Sequence, residues 1–574
     1  MAARNDDITA LFQEMADLLE LEDANPYRVR AYRNAAITIE GLSRPVSDLI
    51  DEGADVTELR GIGEDLADAL REIVSTGQFS DLEALRGTST ATLRELLQVP
   101  GLGPKRVQTL HDELGIATLE DLQAALESGE IEAVSGFGKK TVQNLRETVL
   151  TGRRKKARRL WADVEAEAAA LEAFVQGLEG IEQSRVGGSF RRKRETVADL
   201  DAVASSSAPA KVIERFVSYD EIASVASKGT TRASVLLKSG LPVDLRVVEP
   251  ESWGSALMYF TGSRDHQLRL RDMAIERGWK LNEYGLFDGD RSLAGETEEE
   301  VYQAFGLDYI EPELRESRGE IEAARSGQLP ELITLDDIQG DTHVSPSSSD
   351  EPVDIRSLAR AAIKRGYSYL VIADRVGPDN GGEALSASQM RVQVGEIALI
   401  NEELQGLTLL AGAETEILED GSFAVDVAEL GELDLVVCTI EEGFGLSRAK
   451  QTTRLLRAIE ESPCQVLARP TGRLINERDP LDFDAERVFS AAREAGCAVE
   501  IDGSPDRLDL PDRYCQIARD IGTKLVVTSR ATSPATLDNT RYGINEARRG
   551  WLEASDVLNT LPLDKFRAAL RGSG

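Results

Sequence analysis

Two aspartates one residue apart come directly after a cluster of cations in the segment GSFRRKRETVADLD, residues 188–201. Asp199 and Asp201 are two positions apart, so on a continuous strand both carboxylates point to the same face of a sheet. A third carboxylate, Asp244, lies in the segment LPVDLRVV. Three carboxylates on two neighbouring strands can hold two divalent cations about 4 Å apart. These residues therefore predict a site for Mg²⁺, with Mn²⁺ as an alternative.

The residues before the aspartates predict that this site also binds phosphate. Gly188 and Ser189 form a turn with backbone N–H and hydroxyl donors, and residues 191–194 are all cationic. Arginine pairs well with phosphate oxygens, and successive N–H groups in a turn favour an anion. An isolated Asp-x-Asp is a weak signal for metal, and the adjoining turn and arginines strengthen it.

The elements that must position these groups are strands of a small α/β unit over residues 181–250. The alternation in TVADLDAVAS predicts one strand, and residues 241–248 predict a second. In the second strand Asp244 and Arg246 share one face, while the valines and the leucine between them occupy the other.

Three segments of the N-terminal region share a hydrophobic residue, a Gly-x-Gly and a helical run: LRGIGEDLADAL, VPGLGPKRVQTL and VSGFGKKTVQNL. Each predicts two helices joined by a glycine turn, which lets the backbone approach a ligand and leaves free N–H groups at the next helix. A DNA phosphate suits that position. Plain glycine turns in a helical bundle are the alternative, which the repetition disfavours. The predicted DNA-contacting glycines are Gly61, Gly63, Gly101, Gly103, Gly136 and Gly138.

Two basic segments allow two interpretations each. NPYRVRAYRNAA contains Arg28, Arg30 and Tyr32 and is either a phosphate pocket or an amphipathic helix with a solvated arginine face. GRRKKARR, residues 152–159, is either a contact to the DNA backbone or a solvated helix face.

The composition is strongly acidic and poor in lysine. The 574 residues include 101 Asp and Glu against 66 Lys and Arg, and the net charge is −35. Surplus surface carboxylate with little lysine is typical of proteins from a very salty cytoplasm, where screening also weakens the argument against DNA binding. There is no apolar run long enough for a membrane span and no signal-peptide pattern, so we expect a cytoplasmic protein. Four cysteines without a CxxC spacing predict reduced thiols.

Four segments in order, GSFRRKRETVADLD, VDLRVV, YFTGS and LNEYGLF, resemble the palm and thumb of the family X DNA polymerases. The whole chain resembles the members that carry a C-terminal polymerase-and-histidinol-phosphatase (PHP) domain, here of halophilic archaeal type. The implied fold is multidomain, α and α/β, with a helix-hairpin-helix region, a mixed-sheet nucleotidyltransferase palm, a small thumb and a PHP-like α/β barrel. The implied boundaries are 1–90 for the N-terminal helical domain, 91–160 for the fingers-like region, 161–262 for the palm, 263–320 for the thumb, 321–335 for a linker and 336–574 for the PHP-like domain.

The resemblance also implies roles for individual residues. Asp199, Asp201 and Asp244 would ligate the catalytic metals. The nucleotide-binding residues would be Gly188, Ser189, Arg192, Arg246, Tyr259, Phe260, Thr261, Gly262 and Gln267. Gln267 departs from the family, because an asparagine commonly meets the base there.

The implied activity is two-metal, template-directed filling of short DNA gaps in repair. The partners would be gapped or primed DNA and a deoxynucleoside triphosphate, with a monomeric protein and no membrane. The alternatives are a template-independent nucleotidyltransferase and a non-catalytic scaffold that binds DNA ends.

Some relatives excise a 5′-deoxyribose phosphate through a lysine Schiff base. The matching positions here hold Glu64, Asp65 and Ala69, and the first lysine of the chain is Lys105. We therefore expect no lysine-based lyase, although a gap's 5′-phosphate could still bind at Arg28, Arg30 and Tyr32.

A PHP domain holds its metals with many imidazoles, and this chain has three histidines, of which only His343 lies in that domain. Of the family's ligand positions, His343 and Glu414 match. The other positions hold Ser345, Arg375, Glu441, Arg469, Arg530 and Thr532. We therefore expect no bound metal and no metal-dependent exonuclease in this domain.

Three of the replaced ligands are arginines. Arginine can take the place of a lost cation by pairing with the remaining carboxylates, here Asp374, Glu414 and Glu441. Neutral drift after loss of function is the alternative. The other two histidines, His111 and His266, are predicted to be ordinary surface residues.

Overall fold

The computed structural model describes most of the chain as two compact units, residues 1–157 and 158–574. The described residues are 5–22, 24–40, 42, 46–51, 53–76, 78–86, 93, 96, 99, 102–138, 141–142, 145, 158–348, 353–377, 384–431, 433–460 and 464–570. Among the described residues, none of the helices is both long and apolar enough to cross a membrane.

The first unit is helical, because its apolar residues recur at intervals of three and four. In the helix Glu64–Thr76, Leu66, Leu70 and Ile73 are all buried. The helices are Asn5–Leu21, Pro26–Glu40, Val46–Asp51, Glu64–Thr76, Ser80–Arg86, Pro104–Leu114 and Leu119–Ser128, with 3₁₀ turns at Val56–Glu58 and Glu130–Ala133. Their apolar faces form one continuous core.

The second unit begins with a five-stranded mixed sheet, preceded by a short ribbon. The strands in chain order are β1 (Arg159–Leu160), β2 (Gln183–Val186), β3 (Thr196–Val197), β4 (Leu200–Ser205), β5 (Ile222–Lys228), β6 (Arg232–Leu237) and β7 (Pro242–Val248). The sheet order is β2-β4-β7-β6-β5, with β4 and β7 parallel, while β1 pairs with β3. The helices here are Trp161–Gln176, Gly188–Arg191, Pro209–Phe216 and Trp253–Thr261.

Alternation along β7 separates its core face from the face that carries Asp244 and Arg246, as predicted. Val243, Leu245 and Val247 are buried in a cluster with the helices Trp161–Gln176 and Pro209–Phe216. The opposite face therefore carries Asp244 and Arg246, which are partly exposed.

A thumb-like element follows, built on a three-stranded antiparallel sheet. Its strands are β8 (Lys280–Asn282), β9 (Gly285–Asp288) and β10 (Arg291–Ala294), and its helices are Arg264–Glu276, Glu298–Ala304 and Glu320–Ser326. His266 lies at its centre and is completely buried, contrary to the predicted surface position. Its Nδ1 is 2.7 Å from Glu320 and its Nε2 is 2.9 Å from the Tyr302 hydroxyl, so burial is compensated by two partners.

The C-terminal part is a barrel of seven parallel strands in sequential order. The strands are β11 (Gly340–Val344), β12 (Tyr369–Val376), β13 (Thr408–Glu416), β14 (Leu435–Thr439), β15 (Val466–Ala468), β16 (Ala498–Asp502) and β17 (Leu525–Thr528). The first and last strands approach each other at their carboxyl ends, where Ser345 N donates to Ala531 O at 2.8 Å, so the barrel is nearly closed. The helices are Ile355–Lys364, Ala387–Glu403, Val427–Leu430, Arg448–Glu460, Ala485–Ala495, Asp512–Ile521, Thr540–Arg549 and Leu563–Leu570.

The barrel interior changes character along its length. Alternate residues of the strands, such as Tyr369, Val371 and Leu410, form an apolar layer closed by Phe566. Towards the carboxyl ends of the strands, residues in the same alternation become charged. Parallel α/β barrels carry their functional groups at that end.

The cysteine prediction is wrong for one pair. Cys438 on β14 and Cys464, just before β15, are joined as a disulfide with Cα atoms 5.9 Å apart. The pair is 26 residues apart in sequence, and only the adjacency of the two strands brings it together. Cys497 and Cys515 are free and buried.

Candidate active site, DNA contacts and barrel cluster

Two of the three predicted metal-binding carboxylates lie side by side on neighbouring strands. Asp201 on β4 is the register partner of Asp244 on β7. The Asp244 carboxylate accepts a hydrogen bond from the Ser234 hydroxyl on β6, which fixes its orientation.

Asp199 lies at a break in the predicted strand. The segment is divided into β3 and β4, with Ala198 and Asp199 between them, because β3 pairs with β1 while β4 joins the central sheet. The alternation argument therefore does not by itself decide where the Asp199 side chain points. The backbone still places it two residues from Asp201.

The Gly-Ser turn packs directly against Asp201. Gly187 N donates to the Asp201 carbonyl at 2.7 Å, and a Cβ added to Gly188 would lie 2.5 Å from Asp201 Oδ2. Gly188 also has φ of +61°, a conformation that favours glycine. The turn leads into the short helix Gly188–Arg191, in which Ser189 directly follows Gly188.

The two arginines after the turn are held by carboxylates that sequence reasoning missed. Arg191 pairs with Glu298 at 2.7 Å and donates to the Thr261 hydroxyl at 2.7 Å. Arg192 donates from Nε to Glu316 at 3.0 Å and from Nη1 to the Thr261 carbonyl at 2.5 Å. Neither bond uses Nη2 of Arg192. Both glutamates come from the thumb-like segment, more than 100 residues later.

The YFTG segment lines the same region from the helix Trp253–Thr261. Arg246 lies over the Phe260 ring at 5.6 Å, and Tyr259 and Phe260 contact edge to face. Gly262 approaches Arg192, since a Cβ there would be 3.0 Å from Nη1. The structure therefore brings together the predicted turn, Arg192, Thr261 and Gly262.

Gln267 faces the protein interior. It is buried, and its Nε2 donates to the Met258 carbonyl at 2.7 Å. In this arrangement the amide fastens one helix to the next and does not present itself to a nucleotide base.

The donor set of the sheet fits Mg²⁺ by chemistry, because hard oxygen ligands are the ones that ion prefers. Asp201 and Asp244 are register partners. Glycine at position 188 leaves room for Asp201 Oδ2, which a Cβ at that position would crowd. Within the described part of the chain, no three His, Cys, Asp or Glu side chains converge on one metal position. The fit to Mg²⁺ therefore rests on the strand register of Asp201 and Asp244 and on the chemistry of their carboxylates.

The three glycine turns of the helical unit share one geometry. Each turn is closed by one backbone hydrogen bond of 3.0–3.1 Å, in which Ile62 N donates to Leu59 O, Leu102 N to Val99 O and Phe137 N to Val134 O. The middle hydrophobic residue of each turn is buried, and the glycines after it are exposed. A Cβ at Gly63, Gly103, Gly136 or Gly138 would meet nothing within 4 Å, and one at Gly61 only Asn34 at 3.8 Å. The outer side of each turn is therefore open to a ligand. Gly101 and residues 152–157 of the basic run lie outside the described residues.

Tyr32 is not a DNA-facing residue. Its ring packs in the core, 5.4 Å from Phe12 and 6.1 Å from Phe79, and burial raises the pKa of its hydroxyl. Arg30 is two positions before Tyr32, about 200° away around the helix, and faces outward. Arg28 is about one turn before Tyr32 and is also exposed. Arg28 pairs with Asp81 at 3.4 Å, and both side chains are more than half exposed.

The charged end of the barrel holds His343 between carboxylates and an arginine. His343 Nδ1 is 2.6 Å from Glu500, and His343 Nε2 is 2.9 Å from Glu414 and 2.5 Å from Arg530 Nη1. Arg530 also pairs with Glu414. A guanidinium thus occupies the side of the ring nitrogen that a metal would need.

Arg375 and Arg469 complete this cluster. Arg375 pairs with Glu414 at 3.1 Å and Glu441 at 2.8 Å, and Arg469 pairs with Glu414 at 3.2 Å and Glu441 at 2.5 Å. The predicted pairing of arginine with carboxylate is therefore present for Glu414 and Glu441. Although burial opposes ionisation, Arg530 and Arg469 hold the pKa of Glu414 well below its usual value. The residues do not fit a metal cluster.

The predicted pairing of Asp374 with an arginine is wrong. Alternation along β12 turns Arg375 inward and Asp374 to the other face, where it accepts from Ser347 N at 2.8 Å and Gln393 at 2.5 Å. Ser345 donates to the Ala373 carbonyl at 2.7 Å, and the backbone of Thr532 donates to Thr536. Glu500, which sequence reasoning missed, takes part in the cluster. Its position on β16 at the carboxyl end of the barrel was the available signal.

Three family models match parts of the chain. A DNA polymerase beta thumb model matches residues 256–316. A helix-hairpin-helix domain model matches residues 3–79, and a SAM-like helix-hairpin-helix tandem model matches residues 93–149. The matches cover most of the thumb-like element, up to residue 316, and all three glycine turns.

The chain is similar to named polymerases over different shares of its length. It is 25% identical to DNA polymerase lambda of Arabidopsis thaliana, over 54% of this chain and 62% of the relative, and 24% identical to DNA polymerase lambda of Rattus norvegicus, over 50% and 52%. It is 34% identical to the DNA polymerase/3′-5′ exonuclease PolX of Bacillus subtilis over 98% of this chain and 99% of the relative. With this similarity along nearly the whole of both chains, and a barrel following the polymerase region, the chain belongs to the family X DNA polymerases that carry a C-terminal PHP domain.

Proposed function

We propose that the protein is a DNA-directed DNA polymerase that fills short gaps during repair. The observation that carries this proposal is the pairing of Asp201 with Asp244 on adjacent parallel strands, with the Gly188 turn packed against Asp201. Carboxylates and a phosphate-binding turn at one place are what nucleotidyl transfer requires. A scaffold without catalysis needs neither.

Asp199, Asp201 and Asp244 would hold the divalent metal, which when bound neutralises phosphate charge and favours deprotonation of the primer 3′-hydroxyl. Ser234 keeps the Asp244 carboxylate oriented. The N–H groups and hydroxyl of the Gly188–Ser189 turn, with Nη2 of Arg192, bind the triphosphate and place its α-phosphate for in-line attack.

The partly exposed face of the sheet that carries Arg246 receives the sugar and base. Phe260 and Tyr259 supply apolar contact there, and the Thr261–Gly262 backbone approaches Arg192 closely enough to form one wall of the pocket. Gln267 is engaged with Met258, so its contact to the base would require a different side-chain arrangement.

The three open glycine turns bind DNA phosphates without reading sequence, with Arg28 and Arg30 as further contacts. No lysine precedes Lys105, so gap recognition here would not be accompanied by lysine-based lyase chemistry. The barrel would lack metal-dependent exonuclease activity, because Arg530 and Arg469 occupy the positions around His343 and Glu414 where metal would bind. A cytoplasmic location, a monomeric state and a halophilic source stay predictions.

Primer extension on a one-nucleotide gap with Mg²⁺ or Mn²⁺ in high potassium chloride tests this function. We expect Asp201→Asn to reduce extension by at least about 100-fold while DNA affinity stays within about twofold, because the residue acts on the transition state. Asp220→Asn, an exposed change in the same unit, is the matched control. Equal extension by Asp201→Asn and wild type would refute the site assignment. Extension that ignores the template would favour a template-independent nucleotidyltransferase.

A further inference from the structure

The turn that carries the proposed triphosphate ligands is also held from the barrel side. Arg549, the last residue of the barrel helix Thr540–Arg549, is buried with 3% of its side chain exposed. Its Nη1 donates to the backbone carbonyl of Arg192 at 2.9 Å and to Glu316 at 3.1 Å. A residue of the barrel therefore contacts the backbone of the nucleotide-binding turn directly.

The ion pair of Arg549 with Glu316 also fixes the Arg192 side chain. Glu316 Oε1 accepts from Arg192 Nε at 3.0 Å, and Arg194 lies 3.7 Å from Oε2. Burial opposes the charge of Glu316, but Arg549, Arg192 and Arg194 outweigh it and lower its pKa to about 2. Asp512 in turn pairs with Arg549 and holds its position. Backbone and side chain of Arg192 thus depend on one buried ion-pair group.

A second barrel residue holds the end of the turn. Arg473 Nη1 donates to Glu195 at 2.8 Å, and its Nε donates to the Arg507 carbonyl at 2.8 Å. Glu195 O accepts from Trp161 N at 2.9 Å. The segment between Gly188 and Glu195 is therefore tied to the barrel at two points.

The conformation of the turn needs such support. Lys193 has φ of +55°, which L-residues adopt at a cost and keep only where the surroundings enforce it. Its Nζ lies over the Trp161 ring at 4.3 Å. The amides of residues 191–194 all donate within the turn, at 3.0–3.3 Å, so the fold of the turn can be followed through amide exchange.

We propose that the PHP barrel positions the triphosphate-binding turn of the polymerase, with Arg549 as the positioning residue. This rests on the proposed polymerase function. It gives the barrel a role in nucleotide binding that requires no metal and no catalysis of its own. Arg549 does not touch the substrate and acts through Arg192 and Glu316.

The test compares Arg549→Gln with Arg548→Gln. Arg548 lies on the same helix, pairs with Glu313 at 2.8 Å and donates to the Ile333 carbonyl at 3.1 Å. Its replacement removes a similar ion pair but leaves the hydrogen bonds of Arg549 to the Arg192 carbonyl and to Glu316 in place. For Arg549→Gln we expect the KM for the nucleotide to rise about tenfold, as for loss of a charge-assisted hydrogen bond, with kcat changed less than about threefold. Amide exchange of residues 191–194 should accelerate. Arg548→Gln should change neither.

Two results would overturn the proposal: equal KM changes in both variants, or unchanged amide exchange in Arg549→Gln. Arg549→Lys keeps the charge but lacks the planar guanidinium that donates to two acceptors. We expect its KM for the nucleotide to lie between those of the wild type and Arg549→Gln. It replaces Arg549→Gln if that variant does not fold. If the wild type extends no primer, the polymerase proposal fails separately. In that case two measurements on Arg549→Gln and Arg548→Gln still decide whether Arg549 positions the turn: amide hydrogen exchange of residues 191–194, and calorimetric binding of inorganic triphosphate.

Discussion

Replacing Glu414 with glutamine tests whether ion pairs hold the barrel together at the positions where the family resemblance implies metal ligands. Glu414 is 1% exposed and contacts His343, Arg375, Arg469 and Arg530. Glu414→Gln keeps the shape but removes the negative charge, which leaves the arginines and the histidine without their central partner.

The expected loss follows from the burial of the cluster. Removing one partner of a buried ion pair typically costs about 3–5 kcal/mol, because the opposite charge stays buried and uncompensated. For a domain of this size that corresponds to a fall of about 10 °C in the melting temperature. Salt screens buried pairs weakly, so high potassium chloride should leave most of the effect in place.

Differential scanning calorimetry of the full chain measures the change. Glu416→Gln is the matched control, since Glu416 lies two residues further along the same strand, is partly exposed, and its pKa is raised, mainly by burial. We expect the control to melt within about 2 °C of the wild type, as surface-type substitutions do. In Glu414→Gln, a second change of Arg530→Met should restore part of the loss, because it removes an uncompensated charge.

Chelation separates this explanation from a metal-bound barrel. A chelator should abolish primer extension, yet leave the melting temperature of the barrel unchanged, and added Zn²⁺ or Mn²⁺ should not raise it. The reasoning is refuted if Glu414→Gln melts like the wild type, or if stoichiometric metal that stabilises the barrel is found by elemental analysis.

Three further predictions concern the polymerase region and the helical unit. Gly188→Ala should lower kcat about 100-fold, because the added Cβ would lie 2.5 Å from Asp201 Oδ2 and would displace that carboxylate. Gly240→Ala is the control and should leave kcat unchanged, because Gly240 also has a positive φ but has open space around it. Equal kcat values for the two variants would contradict this prediction. Gly103→Ala should fold normally yet weaken DNA binding about tenfold in a fluorescence titration, since its methyl group blocks a phosphate from the open turn; unchanged affinity would remove that turn from the interface. The folded pKa of Glu316 is lowered from 4.5 to about 2, so the unfolded chain binds more protons between these values. A contribution of about 3 kcal/mol should therefore be present above pH 4.5 and be lost as the pH falls towards 2, measured by acid unfolding, and Glu316→Gln should lack it.

Periodicity and residue type predicted much of the site. Alternation in residues 241–248 identified the face of β7 that carries Asp244 and Arg246, because neighbouring positions of a strand point to opposite faces. Repetition identified the glycine turns in the same way. The histidine count predicted a barrel without its usual ligands, and this needs no coordinates, since a missing side chain cannot bind metal.

Other features depend on partners that are distant in the sequence. The strand predicted through Asp199 is broken because its two halves pair with different strands. Tyr32 is predicted as a DNA contact and His266 as a surface residue, yet both are buried, Tyr32 against Phe12 and His266 beside Glu320.

The sequence alone determined which groups are available to this protein: paired carboxylates beside a cationic turn, three repeated glycine turns, and arginines at positions where the family resemblance implies metal ligands. The tertiary structure decided which charges meet, such as Arg549 with the carbonyl of Arg192 and Glu298 with Arg191. The physical reason is the separation along the chain of the residues that determine each feature. Side-chain direction along a strand or helix is set by adjacent backbone geometry, whereas a buried ion pair forms only where packing brings segments more than 100 residues apart into contact and excludes water from between them.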